Sequence, residues 1–194
     1  KAKGHADPAK VVLPPYYPDH PVLRQDWAKY LDSWVKTDEE VGQILADLKK
    51  GGRLDSTAVF LWTDNGVSHL RGKQFLYEEC IRVPMIIRLP KKQSAGTVRD
   101  DLVEHIDVAA CSLKLAGIKI PGNVQGRDLL ASDYKTRKFV FAGRDRCDET
   151  VDILRCVRDS RYKYVRNFMS HVPHAQPSQY KDGKKIMQVI RGLH

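Results

Sequence analysis

A chain of 194 residues with 42% hydrophobic residues, three Trp and eight Tyr holds material for one domain or one and a half, and is no disordered tail. Its formal charge of +9 suits a polyanionic partner: nucleic acid, anionic lipid or a sulfated glycan. No run of about 18 apolar residues occurs, so no membrane span is expected, and the four cysteines show no CxxC spacing, which removes the common zinc motifs.

In chain order, residues 1–21 are rich in Pro and His. The stretch "VVLPPYYPDHP" is expected to be extended, because each Pro fixes its own φ and moves its predecessor out of the helical region. Asp26 then offers an N-cap, and Trp27, Leu31, Trp34, Val41, Ile44, Leu45 and Leu48 recur on one helical face. This predicts a core helix, with Asp38 on the same face in need of a partner and Gly51 and Gly52 as the stop. The runs "TAVFLWT" (57–63) and "VPMIIRLP" (83–90) are short, apolar and without alternation. They suit strands covered on both faces, as in a parallel sheet flanked by helices. Another helix is predicted over 102–116, with Leu102, Ile106, Ala109 and Leu113 inward and Gly117 as the stop; His105 and Asp107 read as capping groups, Asp107 alternatively as an exposed carboxylate. Helix, strand, strand, helix predicts an α/β fold. Beyond "IPGNVQGRDLL" the character changes. "KFVFAG", "DILRCVRD" and "RYKYVRNF" predict an antiparallel meander with "RDSR" as a turn, and the boundary is placed near Ser132, giving domains 1–132 and 133–194. Cys111 reads as a buried thiol, while Cys147 and Cys156 either pair across a hairpin or remain thiols.

The connection between the two apolar runs carries more chemistry than a connection needs. Asp64, Asn65 and Gly66 follow directly on a strand, where open α/β sheets place ligands. A carboxylate beside an amide oxygen suits a hard cation such as calcium, and "DNG" is equally an ordinary Asx turn. His69, Arg71 and Lys73 alternate, which predicts one side of an extended loop able to hold a sulfate or phosphate ester, or else a solvated basic loop. Tyr77 and Glu78 read as support for that loop or as helix formers. In "RDRCDETVD", Arg144, Arg146, Asp148 and Glu149 predict a mixed-charge rim that grips the sulfates and hydroxyls of a sugar; the plainer reading is a charged surface hairpin.

Taken together and in order, "YLDSWVKTDEEVGQILADLKKGGRLDST", "TAVFLWTDNG", "RGKQFLYEECIRVPMIIRLP", "EHIDVAACSLKLAGIKIP" and "GRDLL" resemble the sulfatase family over nearly the whole chain, and most resemble bacterial sulfatases related to heparan N-sulfatase, the sulfamidases. The resemblance implies part of an alkaline-phosphatase-like mixed sheet with flanking helices, followed by the start of a small antiparallel α+β subdomain. It implies that Asp64 and Asn65 are calcium ligands and that Lys73 holds the sulfate oxygens, with His69 and Arg71 as pocket residues. It also implies a sulfated carbohydrate substrate rather than nucleic acid, and an exported parent protein, periplasmic or extracellular. The family nucleophile, a formylglycine made in a C/S-x-P-x-R motif, has no counterpart here, nor have the first acidic metal pair and the His that protonates the leaving group. The expectation is therefore the later half of a sulfatase, inactive by itself. The other readings are a phosphate or phosphonate ester hydrolase of the same superfamily and a non-catalytic polyanion-binding module.

Overall fold

The structure, a computed structural model, describes residues 5–193. The chain divides into two compact units: one holds the residues up to Thr57 together with those from Pro177 onward, and the other is Ala58–Gln176.

The first unit is built on helix α1, Pro21–Lys50. It starts earlier than Asp26 predicts. Pro21 fits the first turn, where the missing N–H has no helical partner to lose, and His20 caps it by accepting from Val22 N at 3.2 Å. Arg24 fastens the Pro-rich lead-in to the helix: it pairs with Asp19 and donates to Val11 O at 3.0 Å. Gly51 and Gly52 end the helix as expected, with Lys49 and Lys50 in its last turn, where cations favour the dipole. The predicted apolar stripe is only half covered. Leu23 and Ala28 are buried, while Trp34 and Ile44 keep 37% and 56% exposure. Tyr17, Trp27, Tyr30 and Trp34 instead pack successively, ring on ring, along the surface. Asp38 is exposed, so water serves it. Two short helices, α4 (Gln179–Asp182) and α5 (Lys185–Gly192), follow from the far end of the chain, and α5 packs on α1 with Ile186 and Met187 buried.

In the second unit, β1 (Val59–Trp62) and β2 (Met85–Arg88) pair with each other antiparallel, Leu61 opposite Ile86. This corrects the parallel sheet expected from their apolar runs. A parallel return needs a long crossover, and the only helix between them, α2, is Glu78–Ile81. The strands are not covered on both faces either: Trp62 is 41% and Ile86 59% exposed. Helix α3, Ile106–Leu115, turns a different face inward from the predicted one: Asp107, Ala110 and Cys111 are buried and Ile106 is exposed. Asp107 sets that rotation. It is fully buried, not surface-exposed; it accepts both Nη atoms of Arg137 at 2.6 Å and the backbone N–H groups of Glu104 and Arg127 at 2.8 Å. Asp107 thus caps the turn that opens α3, and the His105 side chain does not.

The predicted meander is present: β3 (Val140–Cys147), β4 (Thr150–Arg158) and β5 (Lys163–Asn167), antiparallel in that order. Asp159 makes the "RDSR" turn by accepting from Arg161 N and Tyr162 N, and those bonds hold its carboxyl below the usual range. The strand pair runs on into "RDRCDETVD", with a register shift between Arg144 and Arg146. Cys156 is a free, buried thiol opposite Ala142, whereas Cys147 falls opposite Thr150.

Candidate active site

Residues 63–77 leave the end of β1 and fold as successive turns, not as the extended loop that alternation predicts. Gly66 N donates to Cys80 O at 2.9 Å, Gly72 N to His69 O at 3.3 Å and Lys73 N to Val67 O at 2.8 Å. Two glycines let the backbone fold this tightly: a Cβ at Gly66 would meet Glu79 O at 1.6 Å, and one at Gly72 would meet Val67 O at 1.8 Å.

Asp64 follows the carboxyl end of β1 and is exposed; its Oδ1 accepts from Asn65 N at 2.9 Å. Asn65 Nδ2 donates to Gly66 O at 2.7 Å, which assigns its Oδ1 the acceptor side. Thr63 Oγ1, just before them, is buried with no hydrogen-bond partner. Three oxygen-bearing side chains thus stand in sequence, and the donor set fits a hard cation. It is not a complete cage: among the described residues no group of three or more His, Cys, Asp or Glu is arranged for a metal.

The basic residues are placed differently from one another. His69 is buried. The Arg71 guanidinium lies 4.2 Å from the Tyr77 ring centre and 4.0 Å from Glu79. Lys73 is half-buried, with its backbone tied to Val67. Glu78 accepts from Lys163 at 2.9 Å and stands 3.4 Å from Arg158, joining the loop to β4 and β5. Burial works to raise the Glu78 carboxyl, but Lys163 and Arg158 outweigh it and hold the group below the ordinary range.

The charged hairpin reaches the same loop. Arg146, Asp148 and Glu149 are exposed, and Gln74 Nε2 donates to Asp148 Oδ2 at 2.8 Å. Arg144 is buried: it donates to Gln176 Oε1 at 3.1 Å, stands 3.5 Å from Asp152, and lies 5.0 Å from the Phe75 ring centre. Between the two arginines the register shifts, with one extra residue on β4: Arg144 faces Leu154 and Arg146 faces Val151. Phe75 and Tyr77 also pack on His174, at 4.5 and 5.7 Å between ring centres. Gln74, Phe75, His174 and Gln176 carry no local sequence signal; only the fold brings them beside the predicted residues.

The sequence profile of the family described as Sulfatase matches residues 3–118, and that described as N-sulphoglucosamine sulphohydrolase, C-terminal, matches residues 66–190. The chain belongs to the sulfatase family. An ulvan-active sulfatase of Formosa agariphila is 33% identical over 185 residues, covering 95% of this chain and 31% of the relative. The N-sulphoglucosamine sulphohydrolase of Homo sapiens is 25% identical over 180 residues, 86% of this chain and 36% of the relative. A protein solved with its substrate D-glucosamine-2-N,6-O-disulfate shares the fold with a TM-score of 0.61 and 23% identity, over 92% of this chain and 43% of that one. The chain therefore spans about a third of the length of these curated relatives. None of its described helices is long and apolar enough to cross a membrane.

Proposed function

We propose that this chain contributes half of the active site of an enzyme that hydrolyses sulfate esters or sulfamates of a sulfated carbohydrate. The observation that carries the reading is the bond from Lys73 N to Val67 O at 2.8 Å. Val67 follows Asp64 and Asn65 closely, and a chain extends at most about 3.6 Å per residue. The loop therefore folds the Lys73 backbone back toward the segment that carries the oxygen pair.

On this reading, Asp64 and Asn65 would hold calcium together with ligands from elsewhere in the protein, and the ion would stabilise charge on the sulfuryl oxygens. On the same reading, the Lys73 ammonium would hold the anionic group against a nucleophile that repels it. One unit charge pair at about 4 Å and an effective dielectric near 20 is worth roughly 4 kcal/mol. His69 and Arg71 wall the pocket, Arg71 fixed by Tyr77. Arg146, Asp148 and Glu149 face the sugar from the hairpin, with Arg144 beneath them against Phe75. The formylglycine nucleophile belongs to a part of the protein outside this chain. Residues 1–132 belong to the alkaline-phosphatase-like catalytic domain, and 133–194 open its C-terminal subdomain. Export follows from the substrate class, since a polyanionic glycan does not cross a bilayer unaided.

The test compares the full-length enzyme with its Lys73→Ala variant on an aryl sulfate and the matching aryl phosphate. The expected result is sulfate turnover that falls about 10²- to 10³-fold in the variant, with no turnover by the isolated chain. Preferred cleavage of the phosphate supports the phosphoester reading. Salt-dependent glycan binding with no turnover of either ester or of an N-sulfated sugar supports a polyanion-binding module.

A further inference from the structure

Among the described residues, positive φ occurs at the non-glycine positions Gln74 (89°), Lys91, Lys92, Ser94 and Asp148 (48°). Lys91, Lys92 and Ser94 lie together in one exposed turn. Gln74 and Asp148 are far apart in the sequence, yet their side chains meet at 2.8 Å. A left-handed backbone disfavours most residues with a Cβ; Asp tolerates it in a turn, so the cost falls chiefly on Gln74, which glycine would relieve. Gln74 instead keeps the polar side chain that makes the contact. Backbone strain retained in this way gathers at functional sites.

The surroundings say what the contact does. Gln74 directly follows Lys73. On the other side, Lys73 is fixed by Gly72, packed against Val67 O, and by its own N–H on that same carbonyl. Asp148 is itself fixed, because Arg146 Nε donates to its carbonyl at 2.7 Å. The lysine is thus braced before and after, and the second brace comes from the tip of the β3–β4 hairpin. We propose that Gln74 is a positioning residue: its amide, latched to Asp148, sets the direction of the Lys73 side chain and couples the sugar-facing hairpin to the sulfate end of the cleft. This rests on the sulfatase reading of Lys73 given above.

The experiment uses the full-length enzyme and 4-methylumbelliferyl sulfate, which has no sugar for the hairpin to hold. Gln74→Glu sets two carboxylates against each other. At neutral pH it should lower kcat/KM at least about tenfold and recover as acid protonates one of the pair. Adding Asp148→Asn reverses donor and acceptor, and should restore kcat/KM to within about threefold. Gln74→Gly keeps the backbone conformation and drops the amide; it should lose activity without losing thermal stability. Gln74→Glu and Gln74→Gly both within about twofold of wild type, or a Gln74→Glu loss that the exchange leaves in place, overturns the latch. A wild-type enzyme that cleaves neither a sulfate ester nor a sulfamate rejects the underlying reading instead; an active wild type with indifferent variants rejects the latch alone.

Discussion

Asp107→Ala tests how the second unit is held together. The carboxylate is fully buried and its partner Arg137 keeps 5% side-chain exposure. The substitution removes both Arg137 bonds at 2.6 Å and leaves the N–H groups of Glu104 and Arg127 without their acceptor. Breaking a buried pair from one side costs about 3–5 kcal/mol, and each stranded N–H adds about 1–3 kcal/mol. Glu104, 2.9 Å from Arg137 Nε, still balances the guanidinium, and water can enter the vacated space. These offsets bring the expected loss to about 4 kcal/mol. For a chain of this size that is a fall in Tm of about 8–16 °C. Circular dichroism during heating and in urea measures it, with Lys36→Ala as the control. That change breaks an exposed pair to Glu40 on α1 and should cost no more than about 0.5 kcal/mol. If Asp107→Ala moves the midpoint no further than Lys36→Ala, the buried network is not what holds α3, and the reasoning fails.

The Glu78 carboxyl is held below its ordinary value of 4.5, so its contribution is present above that pH and is lost as pH falls through the folded value. Glu78→Gln should melt slightly lower than wild type at neutral pH, by less than about 1 kcal/mol because the group is partly exposed, and the gap should close in acid; a gap independent of pH contradicts this. Gly66→Ala has no room for its methyl against the Glu79 carbonyl, so loop and activity should be lost together, while Gly42→Ala, with nothing within 4 Å, should leave both intact. Burial raises the Cys111 and Cys156 thiols above their ordinary value, so both should resist iodoacetamide at neutral pH until urea unfolds the chain, as mass spectrometry would record. Glu149→Ala in the full-length enzyme should lower kcat/KM on the natural glycan at least about tenfold and leave an aryl sulfate nearly unchanged; equal effects on both substrates remove Glu149 from sugar recognition.

Local signals in the sequence located elements well and partners poorly. The Gly51–Gly52 stop, the Asp159 turn and the three strands of the meander all follow from residues adjacent in the chain. The pairing of β1 with β2 does not, because an apolar run tells only that a strand wants cover, and direction depends on how the chain returns. The Asp107 environment is invisible for a related reason: its partner Arg137 lies thirty residues away, on a segment with no periodicity. At the candidate site, "TDNG" and Lys73 are legible as residue types in order. The partners of the buried Arg144 are not, since Gln176 and Asp152 come to it only through the fold. The Gln74–Asp148 contact needs a left-handed Gln74, which local propensity argues against.

The 63–77 loop takes its course from main-chain contacts: Gly66 on Cys80 O, Gly72 against Val67 O, Lys73 on the same carbonyl. A shape written in the backbone is largely indifferent to the spelling of its side chains. A library randomised at Ser68 and Leu70, with Gly66, Gly72 and the packed Phe75 held constant, should therefore contain mostly folded members. Side chains can then be exchanged on an unchanged frame, and new preferences can accumulate without the scaffold having to be rebuilt for each one.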